Sequence, residues 1–317
     1  MADIILHHYP SSPFSEKIRL ILGHKKLAWK SVIVPSIMPK PDVIALTGGY
    51  RKTPFLQIGS DIYCDTALMC DVLEHLAPSP PLYPPAHKGI TRILAQWADD
   101  RLFWTAMAYN FSPKGAAELF GGGPPEKWGP IAKVFGQDRA KMRLGLPRTA
   151  PADAASTYRS YLRRLANMLE GQPYLMGSEP CIADFAAYHP LWFTRTQTPV
   201  MAGILDATPA VLAWMDRMAG LGHGTMTISN ATESIASCAA STRATGIFDS
   251  IPFQDEHGIP LGSRVTIASE SFGPEPTEGE LVAATRMHYT LRRLDERAGT
   301  VHVHFPRIGF VLKKADA

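Results

Sequence analysis

Four cysteines in 317 residues, Cys64, Cys70, Cys181 and Cys238, are too few and too irregularly spaced for a disulfide framework or a zinc site, and none forms a CxxC pair. In a chain this long and apolar they read as reduced core residues. No charge sign dominates. The 32 Lys and Arg against 29 Asp and Glu leave +3, and the basic residues form no run, so nucleic acid is not an expected partner. The mild excess suits a small anionic ligand. No stretch approaches the ~18 apolar residues of a membrane span. The opening MADIILHHYP lacks the basic-then-apolar order of a signal peptide. The expectation is a cytoplasmic protein with no membrane contact and no internal repeat.

Hydrophobic residues are plentiful, at 45% against 19% charged, enough for ordinary cores. The length suits roughly two to three domains. Ile4-Ile5-Leu6 predicts a buried strand. After the turn Tyr9-Pro10-Ser11, Ser12 is a good N-cap and Pro13 suits the first helical position. Phe14, Ile18, Ile21 and Leu22 then share one face of a helix ending near Gly23. Trp29 to Val34 predicts a second strand, and Ser36 to Gly49, rich in Pro and Gly, predicts a loop. Phe55 to Ile58 and Asp61 to Cys64 flank Gly59-Ser60 as a hairpin, followed by a helix carrying Leu68, Met69, Val72, Leu73 and Leu76. Five prolines between Pro78 and Pro85 mark a linker. Strand, helix, strand, loop, strand, strand, helix is a small α/β domain over 1–80.

Residues 88–225 read as helical, with long patterned stretches at Ile90 to Asn110 and Ala152 to Leu169 and breakers at Gly121 to Pro125 and Gly145 to Pro151. Pro190 is expected to kink or end the helix Ile182 to Phe193, Thr208 to cap a last helix before Pro209, and Gly220 and Gly222 to close it. From 226 to 317 the texture becomes β-branched and alternating at Val265 to Ile267, Leu281 to Leu291 and Val301 to Leu312, with a turn at Glu296 to Gly299. That predicts a small antiparallel all-β domain.

Three places carry candidate chemistry. At Tyr9 to Ser15, the helix N-terminus offers free N–H groups and partial positive charge. A hydroxyl there either caps the helix or donates to a bound thiolate, favouring ionisation of a thiol whose free pKa is near 8.5. Thr53-Pro54 is an ordinary proline at a strand start, or a cis proline leaving the Thr53 main chain free to pair with an extended peptide. Asp65-Thr66 caps the next helix, or binds an amino group and a carboxylate. His302 and His304 share a strand face with His288 upstream, but a third metal ligand is not evident, so no metal is expected. His7-His8 reads as packing. Asp99-Asp100-Arg101 reads as a solvated face with local ion pairing.

In order and spacing, Ser12-Pro13-Phe14, Thr53-Pro54-Phe55-Leu56, Asp65-Thr66-Ala67-Leu68 and the stretch Gly177 to Asp184 resemble the glutathione transferases over roughly residues 1–220. The resemblance implies a thioredoxin-like N-terminal domain and an all-α C-terminal domain, and is silent on the β tail. It implies glutathione as co-substrate and a homodimer. Ser12 would activate the thiol, with Ser11 an alternative donor and Tyr9 lining the site. Thr53 and Pro54 would bind the cysteinyl backbone, and Asp65 and Thr66 the γ-glutamyl end. Lys40, Arg51 and Lys52 are candidates for the glycyl carboxylate. Cys181 stands where the family has Ser or Thr and is a poor N-cap, so that helix start is expected to be loosely fixed. The implied activity is conjugation of glutathione to a small electrophile, a detoxification chemistry. A glutathione-dependent isomerase, dehalogenase or peroxidase, or a non-catalytic binding or interaction protein, are the alternatives.

Overall fold

A computed structural model describes residues 2–143, 149–241, 247–248, 250–254 and 256–315. The chain begins with β1 (Ile4–His8), α1 (Pro13–His24), β2 (Ala28–Ile33), α2 (Pro41–Thr47), β3 (Phe55–Ile58), β4 (Asp61–Cys64) and α3 (Thr66–Leu76). β1 is buried along its whole length, runs parallel to β2 and antiparallel to β3, and β3 pairs antiparallel with β4, giving a thioredoxin-like sheet. The segment read as a loop contains α2. Pro41 occupies the first turn, where no N–H is needed, and Gly48 ends the helix at φ 80°. The proline and glycine that suggested irregular chain are the helix's two end markers, and Val43, Ala45 and Leu46 between them are buried.

The helical part comprises α4 (Lys88–Trp97), α5 (Phe103–Asn110), α6 (Pro113–Leu119), α7 (Pro125–Met142), α8 (Pro151–Met168), α9 (Ile182–Trp192) and α10 (Pro209–Ala219). α4 and α5 are one rod with a single π-helical turn, Ala98–Leu102, between them. The breaker at Gly145 to Pro151 falls largely outside the described residues. Pro190 does not end α9. The helix runs to Trp192 and then widens into a π-helical turn, Phe193–Gln197, where the Thr194 hydroxyl donates to the Pro190 carbonyl at 3.2 Å. Thr208 is the N-cap residue of α10, with Pro209 following it, but its side chain caps no amide; the hydroxyl donates back to the Leu205 carbonyl at 3.0 Å. The start of α9 is firmly held. The buried Asp184 carboxylate accepts from the Cys181 N–H (3.0 Å), the Leu175 N–H (2.8 Å) and the Trp214 indole (2.9 Å), so the acid three residues on supplies the capping box that cysteine cannot anchor alone.

β5 (Thr225–Ile228) and α11 (Ala231–Ala240) precede β6 (Arg264–Ser269), β7 (Thr277–Ala284), β8 (His288–Asp295), β9 (Gly299–Pro306) and β10 (Phe310–Lys314). The stretches Leu281 to Leu291 and Val301 to Leu312 are each two strands rather than one. The turn at Glu296 to Gly299 is present, its amides at Arg297 and Ala298 donating to Asp295. The β tail joins the thioredoxin-like sheet. Among the described residues the strands form one ten-stranded sheet in the order β10-β6-β7-β8-β9-β4-β3-β1-β2-β5, with β9 parallel to β4 and Val303 opposite Ile62.

Alternation along β9 divides the two cores. Val301, Val303 and Phe305 pack with Ile62, Phe55, Val43, Leu46 and Ile235 on the side of α2 and α11. On the opposite face, Leu6, Ile18, Leu56, Tyr63 and Val72 share a core with Leu102, Ala106, Phe185 and Trp214 of the helical part, while His304 stacks on Tyr63 at 4.5 Å. All four cysteines are free and buried. Among the described residues, no helix is long and apolar enough to cross a membrane.

Candidate functional site

His7, Phe55 and Cys64 lie opposite one another across β1, β3 and β4. Tyr9 to Ser12, Thr53-Pro54 and Asp65-Thr66 therefore emerge from one transverse row of the sheet, at the same end.

Ser12 is the N-cap of α1. Its Oγ accepts from the Ser15 N–H at 3.2 Å, and its own O–H donates to no described residue. Pro13 removes one donor from the first turn, and the Phe14 N–H makes no hydrogen bond to a described residue. Ser11 is exposed in the turn. Tyr9 is half-buried and packs against the core on the α2 side of the sheet. Thr53–Pro54 is a cis peptide. The Thr53 hydroxyl accepts from the Lys40 ammonium at 3.3 Å, whereas its main-chain N–H and C=O pair with no described residue.

Asp65 has φ 73° and ψ 135°, a region sparsely populated by residues other than glycine. Its Oδ1 accepts from the Ala67 N–H (3.0 Å), its own N–H donates to the Tyr50 hydroxyl (3.1 Å), and Oδ2 stands 4.0 Å from the Lys52 ammonium. Such strain costs of order 1–3 kcal/mol and is concentrated at ligand-binding positions. Thr66 is buried and its hydroxyl accepts from Lys17 at 3.4 Å.

The three candidate cations have different surroundings. Lys40 is buried and donates to the Arg51 carbonyl at 3.1 Å; burial, with Arg139 and Arg51 nearby, pulls its pKa down to about 8. Arg51 is buried between Asp138 of α7 and Glu275, with Nη1 3.0 Å from Glu275. Lys52 lies over the rings of Tyr50 and Phe310 and donates to Ser269 at 3.1 Å; burial lowers its pKa.

Sequence reasoning missed the buried ion-pair network beneath the site. Lys17 of α1, 1% exposed, pairs with Asp99 at 2.6 Å, and Asp99 accepts from His189 at 3.0 Å. The π-helical turn swings Asp99 inward, so only Asp100 and Arg101 form the expected exposed pair, at 3.4 Å. Burial alone would depress the Lys17 ammonium and raise the Asp99 carboxyl, but each is outweighed by the other's charge, and both stay ionised over a wider pH range than usual. Burial pushes His189 down, against the pull of Asp99. Phe14 packs between Phe103 and His189, both at 4.6 Å, and Phe103 meets Trp104 at 5.0 Å, giving the cleft an aromatic wall. His7 and His8 are packing residues. His7 stacks on Phe55 and pairs with Gln57, His8 pairs with Ser31, and burial takes their pKa values to about 4 and about 3. His304 is held between Asp61 (2.7 Å) and Thr290 (2.9 Å), and no metal-binding group occurs among the described residues.

Comparison with known proteins follows the same division. The glutathione S-transferase N-terminal domain matches residues 6–81 and the glutathione S-transferase C-terminal domain residues 138–221. A GST-like protein from Pseudomonas syringae of known structure is 40% identical, covers 99% of this chain and 100% of its own, and superposes with a TM-score of 0.80; the likeness thus extends through the β tail. A glutathione S-transferase from Rhodospirillum rubrum, 17% identical, shares the fold over 67% of this chain and 86% of its own at a TM-score of 0.50. FtsZ-localized protein A of Caulobacter vibrioides is 25% identical over 187 residues, 57% of this chain and 73% of its own.

Proposed function

The chain belongs to the glutathione S-transferase family, and on that premise we propose that it binds glutathione across the end of the sheet and presents the thiolate to an electrophilic carbon. One observation carries the reading. The Thr53 main-chain N–H and C=O, unpaired among the described residues, lie on the row that also gathers Ser12 and Asp65, which is the arrangement an extended peptide completes as an added strand. The cysteinyl unit pairs with Thr53, and its sulfur faces the N-terminus of α1. There the Ser12 O–H, uncommitted while its lone pair caps Ser15, donates to the thiolate. Lowering the thiol pKa by one to two units is worth roughly 1.4–2.7 kcal/mol, within reach of one hydroxyl and a helix end. The γ-glutamyl ammonium is received by Asp65 Oδ2, and its carboxylate by the start of α3 at Thr66. The thiol proton passes to solvent as the thiolate forms; the sulfur then bonds to the electrophilic carbon as the leaving group departs with its electron pair, or adds to a double bond whose other carbon takes a proton from water. The acceptor rests against Phe14, Phe103 and Trp104.

A second reading, a non-catalytic interaction protein, is favoured by the internal partners of Lys40, Arg51 and Lys52, which leave no candidate cation free for the glycyl carboxylate. The name of the FtsZ-localized relative fits a role exercised through a protein partner. Titrating glutathione while following ultraviolet thiolate absorbance, with Ser12→Ala alongside, separates the readings. Thiolate that appears on binding and vanishes in the variant supports conjugation. Binding without thiolate, or no binding, supports the second reading, and thiolate unchanged in Ser12→Ala removes Ser12 from the mechanism.

A further inference from the structure

The connection between β6 and β7, residues 270–276, lies over the site just described. At one end, the Thr277 hydroxyl accepts from the Tyr50 N–H and donates to the Thr47 carbonyl, both at 3.1 Å. Glu275 Oε1 meets Arg51 at 3.0 Å. Pro276 passes so close to Gly49 that a β-carbon there would stand 2.0 Å from the Pro276 carbonyl oxygen, so glycine is required at that crossing. At the other end, the Gly273 N–H donates to the Met142 carbonyl at the end of α7 (2.8 Å), and Phe272 meets Trp104 edge to face at 5.0 Å. The loop is thus fastened to Tyr50-Arg51-Lys52, immediately before Thr53, and crosses to the aromatic wall.

Its central ion pair is incompletely satisfied. Arg51 Nε and Glu275 Oε2 are both buried and have no hydrogen-bond partner among the described residues. A guanidinium and a carboxylate meeting fork to fork would use two parallel bonds; here a donor and an acceptor are left over. Asp138 holds Nη2, so Nη1 is the donor at which a ligand carboxylate could take the place of Glu275.

We infer that residues 270–276 are a built-in strap over the cleft, and that Glu275 is an internal carboxylate competing with the glycyl carboxylate of glutathione for Arg51. The inference rests on the glutathione reading for the ligand, while the strap itself rests on the contacts above. Ligand entry lifts the strap, breaking Glu275–Arg51 and Phe272–Trp104, and the departing Glu275 gains water as the ligand takes its place.

Glu275→Gln keeps the side chain's shape and removes its charge. Calorimetric titration of wild type and variant with glutathione and with its glycyl ethyl ester tests competition, and hydrogen exchange over 270–276 reports the strap. A rise of about tenfold in the acid-to-ester affinity ratio, equivalent to about 1.4 kcal/mol, with faster exchange in 270–276, is the expected result. Phe272→Ala, which touches no charge, is expected to speed exchange there while leaving the acid-to-ester ratio as in wild type. An unchanged acid-to-ester ratio in a Glu275→Gln protein whose strap exchanges faster overturns the competition. If neither protein binds glutathione, the glutathione reading falls and exchange alone decides. Faster exchange in Glu275→Gln and Phe272→Ala upholds a strap over the cleft, and unchanged exchange in both removes it.

Discussion

Asp99→Asn is the sharpest test of how the two halves of the site are joined. The substitution preserves shape, keeps one acceptor oxygen where Asp99 uses two, and leaves the Lys17 ammonium, 1% exposed, without its counter-charge. Removing one partner of a fully buried pair costs about 3–5 kcal/mol. Asp99 keeps 21% of its side-chain surface in water, which places the expected loss at the low end, about 3 kcal/mol. Urea unfolding followed by circular dichroism measures it, and Lys17→Met added to Asp99→Asn is expected to restore most of the loss, because no buried charge then remains. The pH profile gives an independent check. In the wild type, Asp99 titrates below its unfolded value and Lys17 above its own. The Asp99 contribution is therefore present above about pH 4 and lost as pH falls through the depressed value; that of Lys17 is present below about pH 10 and lost as pH rises through the elevated one. In Asp99→Asn the burial that opposes the ammonium is no longer outweighed, so Lys17 binds its proton more weakly folded than unfolded, and stability rises with pH toward 10. A loss under about 1 kcal/mol, within the range of an exposed pair, or a profile without that alkaline rise, refutes the reasoning.

Three further outcomes follow from the site and the sheet. Asp65→Gly relieves the backbone at φ 73° but removes the cap on Ala67 and the acceptor for an ammonium; stability is expected to stay within about 1 kcal/mol of wild type while glutathione affinity measured by calorimetry falls. Ser12→Ala is expected to lose about 1 kcal/mol in urea unfolding through the lost cap alone, so its effect on the thiolate must be read in protein shown to be folded. Ending the chain after residue 225 strips Val301, Val303 and Phe305 from the α2-side core and opens the β4 edge; the truncated protein is expected to aggregate or bind a hydrophobic dye, and a soluble, cooperatively unfolding product would contradict that.

The parts of the fold legible in the sequence are those whose determinants act over a few residues. Ser12-Pro13 and Asp65-Thr66 announce helix starts because a cap and its amide are two or three positions apart, and Gly59-Ser60 announces a hairpin for the same reason. α2 was hidden because Pro and Gly are the same letters at helix ends as in loops. Asp99 was misread because a π-helical turn changes which way a side chain faces, and its partner Lys17 is 82 positions away. Nothing in Val301 to Phe305 distinguishes a strand pairing within its own hairpins from one that also adds to β4, since alternation is the same in both. The strap was invisible for a related reason. Glu275 reads as a loop acid until the fold places it against Arg51, 224 positions earlier.

The pairing of β4 with β9 also sets a schedule. Ile62 waits for Val303, about 240 residues later, and at ~5–20 residues per second of synthesis that interval is on the order of 10–50 s. For that time the nascent thioredoxin-like sheet carries a bare strand flank and an uncovered apolar face, both ready to pair with a neighbouring chain. Crowded polysomes and fast translation are the conditions under which this protein is most exposed to misassembly, and holdase chaperones that shield the emerging N-terminal sheet should raise its soluble yield more than those acting on the finished chain.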